Sequence, residues 1–471
     1  MPTTKLDSQL NVGACRSMRH RLKPFFVLIS VLWVVLIWGG YNTGIYVLLA
    51  PGFPSSKLQL FQGIRAFFPL LAAWIALLVI LVKGSLKTHA LAGPLGLLGF
   101  FAAVGLISSG LISRYPLQAL YWGAMYMSVV IVLVAVCSNA EALSTLSRLM
   151  TLNWVIDIGI LIGLLAAIPS FGGAAVARTQ GSPLGVIAYN GNFAAHGTIL
   201  GMASTRNTGF ARYAAVAGLV ALARLWQGKK WNKVVWLGVL SIALYVLVLA
   251  QGRTETVSFL AGSLVILMLR KQRRVALMGF GVLGVVLLAL VGFFHSLWIF
   301  GTRNEGFDPT LSGRTGQWME GLAAVRHSPW VGLGFQADRF YLHGTQLENA
   351  LFQALIQAGV LGTLAYVAAY GLAWFLVIRL YISHDSSKLP DEIPGILMFF
   401  TVMSVTESIA FYSADWLLIA PVLAYIQVFA WQHKTLRAKF ADARLAPSNL
   451  AHPAYAMRQR NTTRASNLRP N

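Results

Sequence analysis

The sequence predicts an all-α fold: a polytopic membrane helix bundle of about 12 transmembrane helices with a large, partly helical periplasmic loop. Of the 471 residues, 57% are hydrophobic and only 11% are charged, a combination that a soluble protein of this size would not have. Apolar runs of roughly 18 or more residues recur along the chain, and each is long enough to cross a hydrocarbon core of about 30 Å. The Lys and Arg residues are concentrated in alternate loops, as the positive-inside rule requires.

The apolar runs divide the chain into two tails, three membrane regions and two long loops. The N-terminal tail is basic and no small-residue cleavage site follows the first run, so we expect it to be retained. The C-terminal tail is polar and basic, and is predicted to be disordered. The predicted regions are a cytoplasmic N-tail at 1–24, nine spans in 25–300 with an external loop at 172–207, a periplasmic loop at 301–348, three spans in 349–432 and a cytoplasmic C-tail at 433–471.

Individual spans are placed where the apolar runs are longest. Their predicted bounds are 25–50, 63–82, 90–112, 118–138, 151–171, 208–224, 234–251, 255–269, 275–300, 349–381, 394–412 and 415–432.

The net charge of +22 follows mostly from this topology. Twelve crossings put both termini on the same side. The N-terminal tail, the basic run that starts at Arg270 and all eight Lys and Arg residues beyond Trp431 then lie in the cytoplasm. Such a surface attracts anionic membrane lipids. The distribution therefore argues for membrane lipids and against nucleic acid as a partner.

The basic residues predicted to lie outside or within the membrane are nearly all arginine. A guanidinium group binds phosphate through paired hydrogen bonds and tolerates partial burial better than an ammonium group. For Arg65 and Arg114, anchoring of the span ends in the head-group layer is the better explanation. For the remaining arginines, the bias indicates an anionic ligand that carries phosphate groups.

Arg253 is predicted at the outer membrane surface, in the short connector "QGRTE" between two spans. An ionisable residue at this depth is a functional candidate by default, and the alternative is a structural ion pair with Glu255. Arg206 and Arg212 lie at the start of an earlier span. Arg314 opens the helix predicted for "SGRTGQWMEGLAAVRHSP" in the second long loop, where the helix N-terminus also attracts an anion.

Four stretches occur in a characteristic order: "STRNTGFARYAA", "LAQGRTETVSFLAG", "LSGRTGQWMEGLAAVRHSPWVGLGFQADRF" and "LENALFQALIQAGVLGTLAY". Over roughly residues 200–380 they resemble the O-antigen ligase and O-antigen polymerase superfamily. The resemblance implies a multi-pass glycosyltransferase of the bacterial inner (plasma) membrane, with inner-membrane lipids around it. Such an enzyme takes a glycan from an undecaprenyl-pyrophosphate carrier and joins it to a sugar hydroxyl on the periplasmic face, without a metal or other cofactor.

The arginines are the predicted ligands of the donor pyrophosphate. Two phosphates demand positive charge, which Arg206, Arg253 and Arg314 would supply, with Arg212 close to them. Because the departing pyrophosphate gains negative charge, fixed guanidinium groups stabilise the transition state more than the ground state. Arg314 is therefore expected to act in catalysis as well as in binding, and Glu255 is expected to hold Arg253 in register.

The acceptor side depends on a departure from the family pattern. In the ligases the residue before the asparagine of the last motif is typically histidine, whereas this chain has Glu348 followed by Asn349. Glu348 would act as the general base; His343 would take its place or be a solvated loop residue. Asn349 and Gly313 would shape the loop. The acidic residue tilts the expectation from a ligase, which uses a lipid A-core acceptor, towards a polymerase, which uses another glycan, and both stay open.

Two further alternatives stay open. A transporter or flippase of an anionic lipid-linked glycan would use the same arginines for binding without chemistry. The long helical loop and the lack of an internal repeat favour the enzyme. Asp157 and Glu407, both placed within spans, would either line an acceptor cleft or form structural hydrogen bonds.

Overall fold

In a computed structural model of the chain, the regular elements of the described residues are all α-helices, which confirms the predicted all-α class. Turns connect them. The described residues are 24–40, 60, 63–84, 86–167, 207–226, 230–250, 253–269, 314–342, 347–382, 389–405, 407 and 413–445.

The helices begin and end at residues suited to those positions. Pro94 and Pro116 each start a helix, where the missing N–H is not needed for an intrahelical hydrogen bond. Gly84 ends another helix with a φ of 55°, the left-handed conformation common at helix C-termini. The described helices are α1 Pro24–Gly40, α2 Phe68–Lys83, α3 Thr88–Leu91, α4 Pro94–Leu111, α5 Pro116–Cys137, α6 Ala142–Ala167, α7 Asn207–Leu225, α8 Lys230–Ala250, α9 Arg253–Leu269, α10 Arg314–Val325, α11 Ala337–Tyr341, α12 Ala350–Ile382, α13 Glu392–Met403 and α14 Ser413–Leu445.

Seven segments of the described chain are long and apolar enough to cross a membrane, judged by length and composition, and they correspond to α2, α4, α5, α6, α8, α12 and α14. The helices α1, α9 and α13 are apolar but shorter. Large apolar side chains cover the outside of the bundle, among them Trp74, Val82 and Trp231, which are 61%, 86% and 82% exposed. Such a surface suits hydrocarbon rather than water. The predicted number of about 12 spans stays a prediction.

Several predicted regions lie outside the described residues. These are the ninth predicted span at 275–300, the N-terminal tail up to residue 23, residues 301–313 of the second long loop, nearly all of the loop at 172–207, and the chain beyond residue 445.

Helix α7 lies at the centre of one half of the bundle. From Ala211 to Ala221 every residue is buried, and the helix contacts α6, α8, α9 and α13. A helix that is buried all round is a core element, and most of its buried side chains are alanine or valine, so its neighbours approach closely. A charged residue on this helix is therefore surrounded by protein, and Arg212 is such a residue.

Helix α12 is interrupted at Gly359, whose φ is 63° and ψ is −166°. The break frees backbone groups that must be paired inside a membrane, and the turn that follows α10 pairs them. The N–H groups of Leu333 and Gly334 donate to the carbonyls of Ile356 and Gln357 at 2.8 and 3.0 Å. In return, the N–H groups of residues 360 and 361 donate to the carbonyls of residues 329 and 330 at 2.8 and 3.1 Å.

Glycine is required on both sides of this junction. Gly332 has a φ of 74°, and a Cβ there would collide with the backbone of Ala358 and Gly359. A Cβ at Gly359 would collide with the backbone of Trp330. The backbone of "WVGLG" therefore pairs the hydrogen-bonding groups that the break in α12 leaves free.

Phe335 carries this turn into the bundle. Its N–H donates to the Ser109 hydroxyl at 2.9 Å, and its ring lies 5.9 Å from Phe101 and 4.9 Å from Tyr126. The ring is fully buried between α4 and α5. The segment between α10 and α11 is thus packed into the bundle and is not a free surface loop.

The bundle described above belongs to one compact unit, which ends at Val428, and a second unit begins at Phe429. In the second unit, the Phe429 ring lies 4.5 Å from the His433 ring.

Candidate functional site

The ends of five helices meet at one place in the bundle. Helices α7, α9, α12 and α14 begin there, and α13 ends there, as the contacts between their terminal residues establish. We call this place the convergent end and define it by Arg212, Glu255, Asn349, Glu407 and Asp415.

Arg212 is the central residue of the convergent end. Its Nη2 lies 2.7 Å from Oε2 of Glu407, and its Nη1 lies 3.0 Å from Oδ2 of Asp415. Its Nε lies 3.6 Å from Oε1 of Glu255. The four side chains are buried, and Glu255 is only 1% exposed. One guanidinium group therefore joins α7, α9, the segment after α13 and the start of α14.

The charges of this cluster are unequal, because three carboxyl groups face one guanidinium. Buried ions are stable only when they are paired and hydrogen-bonded. One guanidinium does not balance three carboxyl groups, so further positive potential at the convergent end would stabilise the cluster. Helix α9 supplies part of it, since Glu255 lies in its first turn beside the positive end of the helix dipole. Arg253 begins the same helix two residues before Glu255, about 3 Å away along the helix axis.

The structure describes only some of the predicted pyrophosphate ligands. Arg253 and Arg314 are the first residues of α9 and α10, but their side chains are outside the described part of the chain. Arg206, His343 and Gly313 also lie outside the described residues. These five residues keep their predicted roles as predictions.

Two predictions concern residues whose side chains are described. Glu255 was expected to hold Arg253 in register; its carboxylate lies 3.6 Å from Nε of Arg212, and its contact with Arg253 stays a prediction because that side chain is not described. Arg212 was expected to bind the donor pyrophosphate, and its described contacts are with the three carboxylates. Contact of Arg212 with pyrophosphate stays a prediction, and the geometry favours a positioning role.

Asn349 fixes the start of α12. Its Oδ1 accepts hydrogen bonds from the N–H groups of Leu351 and Phe352 at 2.9 and 3.1 Å, which makes it the N-cap. Its Nδ2 donates to the carbonyl of Val405 at 2.7 Å. The residue thus ties α12 to the end of α13, two residues before Glu407.

Glu348 has a φ of 44°, although it is not glycine. This conformation is unfavourable for residues with a Cβ and is found at functional sites more often than elsewhere. The neighbouring Leu347 carbonyl accepts a 2.6 Å hydrogen bond from Nε1 of Trp318 on α10, and the Trp318 ring packs on Phe352 at 5.3 Å. Helix α10 is therefore anchored beside Glu348, one turn after Arg314.

The contacts of Glu407 and Asp415 with Arg212 were not predicted from the sequence. The sequence did carry a signal for these ion pairs, because buried charges near the ends of different spans need partners of opposite sign.

Asp157 is also buried, and within the described part of the chain neither of its carboxylate oxygens has a hydrogen-bond partner. Among the described residues, no group of three or more His, Cys, Asp or Glu side chains is arranged to hold a metal ion.

Fold and site together define a multi-pass helical membrane protein with buried charges gathered at one end of its bundle. Comparison with known proteins makes this more specific. Residues 238–367 match the family model described as O-antigen ligase. That range includes α9, α10, α11 and the first part of α12, and hence Arg253, Arg314, Glu348 and Asn349.

A curated relative points in the same direction. The chain is 26% identical over 167 residues to the exopolysaccharide production protein ExoQ of Rhizobium meliloti (strain 1021). The match covers 32% of this chain and 37% of that protein, so it spans little more than a third of the relative's length. Together, the two matches confirm the resemblance to the O-antigen ligase and O-antigen polymerase superfamily.

Proposed function

We propose that this protein is a membrane glycosyltransferase that transfers a glycan from an undecaprenyl-pyrophosphate carrier to a sugar hydroxyl on the periplasmic face of the inner membrane. The observation that carries the proposal is the overlap between the family match and the convergent end. The matched residues, 238–367, supply Glu255 of the charge cluster, the N-cap Asn349, and the helix starts at Arg253 and Arg314.

The donor pyrophosphate would bind to Arg253 and Arg314, with Arg206 from the segment before α7. Arg253 and Arg314 each begin a helix, so backbone N–H groups and the helix dipole add to the charge of the side chains. When the glycosidic bond to phosphate breaks, the diphosphate leaves on its lipid with additional negative charge. Fixed positive groups at that point lower the barrier.

The Arg212 cluster would act as the frame for these arginines. It connects the beginning of α7, six residues after Arg206, to the beginning of α9, where Arg253 lies. The link between these two helix starts is the buried 3.6 Å ion pair of Arg212 and Glu255, and the shorter contacts of Arg212 with Glu407 and Asp415 fix the guanidinium that makes it. Preorganised charges of this kind need no reorganisation during the reaction.

The acceptor would react next to Glu348. The acceptor hydroxyl oxygen forms a bond to the anomeric carbon of the donor glycan, the bond from that carbon to the phosphate oxygen breaks, and the hydroxyl proton passes to a base. Glu348 is proposed as the base because its strained backbone is fixed between the Trp318–Leu347 hydrogen bond and the Asn349 cap. His343 is the alternative base.

Single substitutions at the two helix starts test the proposal. Arg253→Ala and Arg314→Ala should abolish transfer by the purified protein, measured as undecaprenyl pyrophosphate released from a lipid-linked glycan. Arg326→Ala is the matched control, because Arg326 is an exposed arginine just after α10. Wild-type rates for both Arg253→Ala and Arg314→Ala would refute the pyrophosphate clamp.

The location of the unreacted donor separates an enzyme from a transporter. In cells with Arg253→Ala, loss of an enzyme leaves lipid-linked glycan on the periplasmic face, whereas loss of a flippase leaves it on the cytoplasmic face. Precursor that accumulates only in the cytoplasmic leaflet would favour transport.

The length of the surface glycan separates a polymerase from a ligase. The name of the relative, an exopolysaccharide production protein, supports a polysaccharide product and hence the polymerase. In a deletion strain, single repeat units would support the polymerase. Loss of long chains from lipid A, with free polymer retained, would support the ligase.

A further inference from the structure

Three buried polar side chains lie between α11 and the first two turns of α12. Asp338, Gln353 and Gln357 each have no exposed surface. Gln353 and Gln357 are four residues apart on one helix, so they lie on the same face with Cβ atoms about 6 Å apart. Nε2 of Gln353 donates to Oδ2 of Asp338 at 3.2 Å. We call these three residues the polar strip.

The polar strip has many unsatisfied hydrogen-bonding atoms. Within the residues that the structure describes, neither Oε1 nor Nε2 of Gln357 has a partner, and the same is true of Oε1 of Gln353 and Oδ1 of Asp338. A buried polar atom without a partner is destabilising, and native proteins contain few of them. Three acceptors and one donor in a single strip therefore indicate a place that a polar ligand occupies.

A second buried glutamine, Gln427, shows the hydrogen bonding expected of an amide with a structural role. Nε2 of Gln427 donates to the carbonyls of His89 and Ala90 at 2.6 and 3.0 Å, and its Oε1 accepts from the N–H of Leu95 at 3.1 Å. That amide is paired at both ends. Gln357 is buried even more completely, but its amide is paired at neither end among the described residues.

The backbone around the polar strip is held firmly on both sides. Asn349 caps α12 one turn before Gln353, and the carbonyl of Gln357 accepts the 3.0 Å hydrogen bond from Gly334 just before the break at Gly359. The strip therefore begins about one helical turn from Glu348, the proposed base. A ligand on the strip would extend towards that residue.

The chemistry of the strip selects a hydroxyl-rich, uncharged ligand. A carboxylate repels phosphate, so the strip does not suit the pyrophosphate. A divalent cation such as Ca²⁺ takes six or more oxygen ligands, and the strip offers three free acceptor oxygens. An amide oxygen and an amide N–H side by side match a hydroxyl group, which both donates and accepts.

We propose that Asp338, Gln353 and Gln357 form a binding subsite for sugar hydroxyls of the acceptor glycan, which rests on the proposed glycosyl transfer. A hydroxyl that replaces the Asp338–Gln353 hydrogen bond restores one bond to each partner. Asp338 lies in the five-residue helix α11 and both glutamines lie in α12, so the sugar hydroxyl would enter between these two helices.

Binding measurements on the full-length protein in phosphatidylethanolamine–phosphatidylglycerol nanodiscs test this subsite. The probe is the neutral oligosaccharide released by mild acid from the host's surface polysaccharide. We expect it to bind the wild type and raise its Tm, and we expect Gln357→Met to weaken that binding at least tenfold. In the absence of probe, Gln357→Met should raise Tm, because two unpaired polar atoms leave the interior. Gln427→Met, which breaks three hydrogen bonds, should lower Tm.

Gln353→Met provides a second variant if Gln357→Met does not fold. Oligosaccharide binding that is unchanged in the folded variants, or absent from the wild type, would overturn the subsite. A Tm shift produced by Ca²⁺ in place of the oligosaccharide would also overturn it.

Undecaprenyl pyrophosphate, used as a second probe, separates the subsite from the proposed function. Its binding should be lost in Arg253→Ala and retained in Gln357→Met. If undecaprenyl pyrophosphate does not bind the wild type while oligosaccharide binding depends on Gln357, the glycosyl-transfer proposal fails and the polar strip remains a sugar site. If undecaprenyl pyrophosphate binding depends on Arg253 but oligosaccharide binding does not depend on Gln357, the subsite proposal fails and the glycosyl-transfer proposal stands.

Discussion

Nη2 of Arg212 lies 2.7 Å from Oε2 of Glu407, across 195 positions of sequence. This buried contact joins the central helix α7 to the segment after α13, and Asp415 and Glu255 complete the cluster on α14 and α9. The arrangement explains why a charge is kept on a helix that is otherwise buried among alanine and valine side chains. Without it, the helix starts at the convergent end would lose their common anchor.

Removal of Arg212 should destabilise the protein strongly. In Arg212→Met, three buried carboxyl groups would face no guanidinium, and breaking a buried ion pair typically costs about 3–5 kcal/mol. We expect a large drop in Tm in nanodiscs and loss of glycan transfer.

Glu255→Gln is the matched control for Arg212→Met. It removes one of the excess carboxylates and the longest of the three contacts, 3.6 Å, so its Tm should stay close to that of the wild type. A Tm loss in Glu255→Gln as large as in Arg212→Met would show that the cluster has no surplus of negative charge.

The break in α12 should tolerate no side chain at Gly359. Gly359→Ala adds a Cβ that meets the Trp330 backbone and places alanine in a positive-φ conformation that is essentially restricted to glycine, which by itself costs about 1–3 kcal/mol. The turn that carries Phe335 would be pushed out of the bundle. We expect lower Tm and faster amide hydrogen exchange in residues 330–336.

Gly371→Ala, in the same helix, tests whether this effect is local. No atom lies within 4 Å of a Cβ at Gly371, and alanine is favoured over glycine in a helix interior by about 0.5–1 kcal/mol. This variant should be as stable as the wild type or more stable. Equal losses of Tm in the Gly359 and Gly371 variants would contradict the proposed pairing of the break in α12 by the turn after α10.

Two substitutions at Asn349 separate its two roles. Serine is as good an N-cap as asparagine but cannot reach the Val405 carbonyl, whereas alanine loses both contacts. Asn349→Ala should therefore be about 1 kcal/mol less stable than Asn349→Ser in denaturant unfolding. Both should reduce glycan transfer, because the tie between α12 and α13 positions Glu348. Full activity in Asn349→Ser would show that the hydrogen bond from Asn349 to the Val405 carbonyl is not needed to position Glu348.

The sequence predicted the elements of this fold better than their contacts. The apolar runs predicted α12 at 349–381, and the structure has Ala350–Ile382. Helix α6 begins at Ala142 and not at 151, because the polar stretch "ALSTLSRLM" continues the helix at its start. The break at Gly359 was not predicted, since "IQAGVLG" has the composition of an uninterrupted apolar helix and the groups that pair the break come from a distant turn.

The preference for arginine outside the predicted cytoplasmic loops selected Arg212 as a candidate, and its contact with pyrophosphate stays a prediction. Arg212 was selected as a ligand of phosphate, and in the structure its described partners are carboxylates from three other elements. A guanidinium group suits both anions equally well, so residue type alone does not distinguish them. The distinction needs the positions of Glu407 and Asp415 in space, which a single sequence does not contain.

Asp338 should make stability depend on pH. It lies in α11, between the spans, where burial raises the pKa of its carboxyl above the ordinary value, while the positive charge of Arg339 and the hydrogen bond from Gln353 oppose the shift. The folded state thus holds the proton more tightly than the unfolded chain, and this contribution is full below the ordinary aspartate pKa of about 4. As pH rises from there towards the raised pKa of the folded state, the contribution should be lost. Asp338→Asn cannot titrate, so the difference in Tm between variant and wild type should grow in favour of the variant over that interval. Parallel Tm curves for the two proteins would show that the fold does not raise the pKa of Asp338.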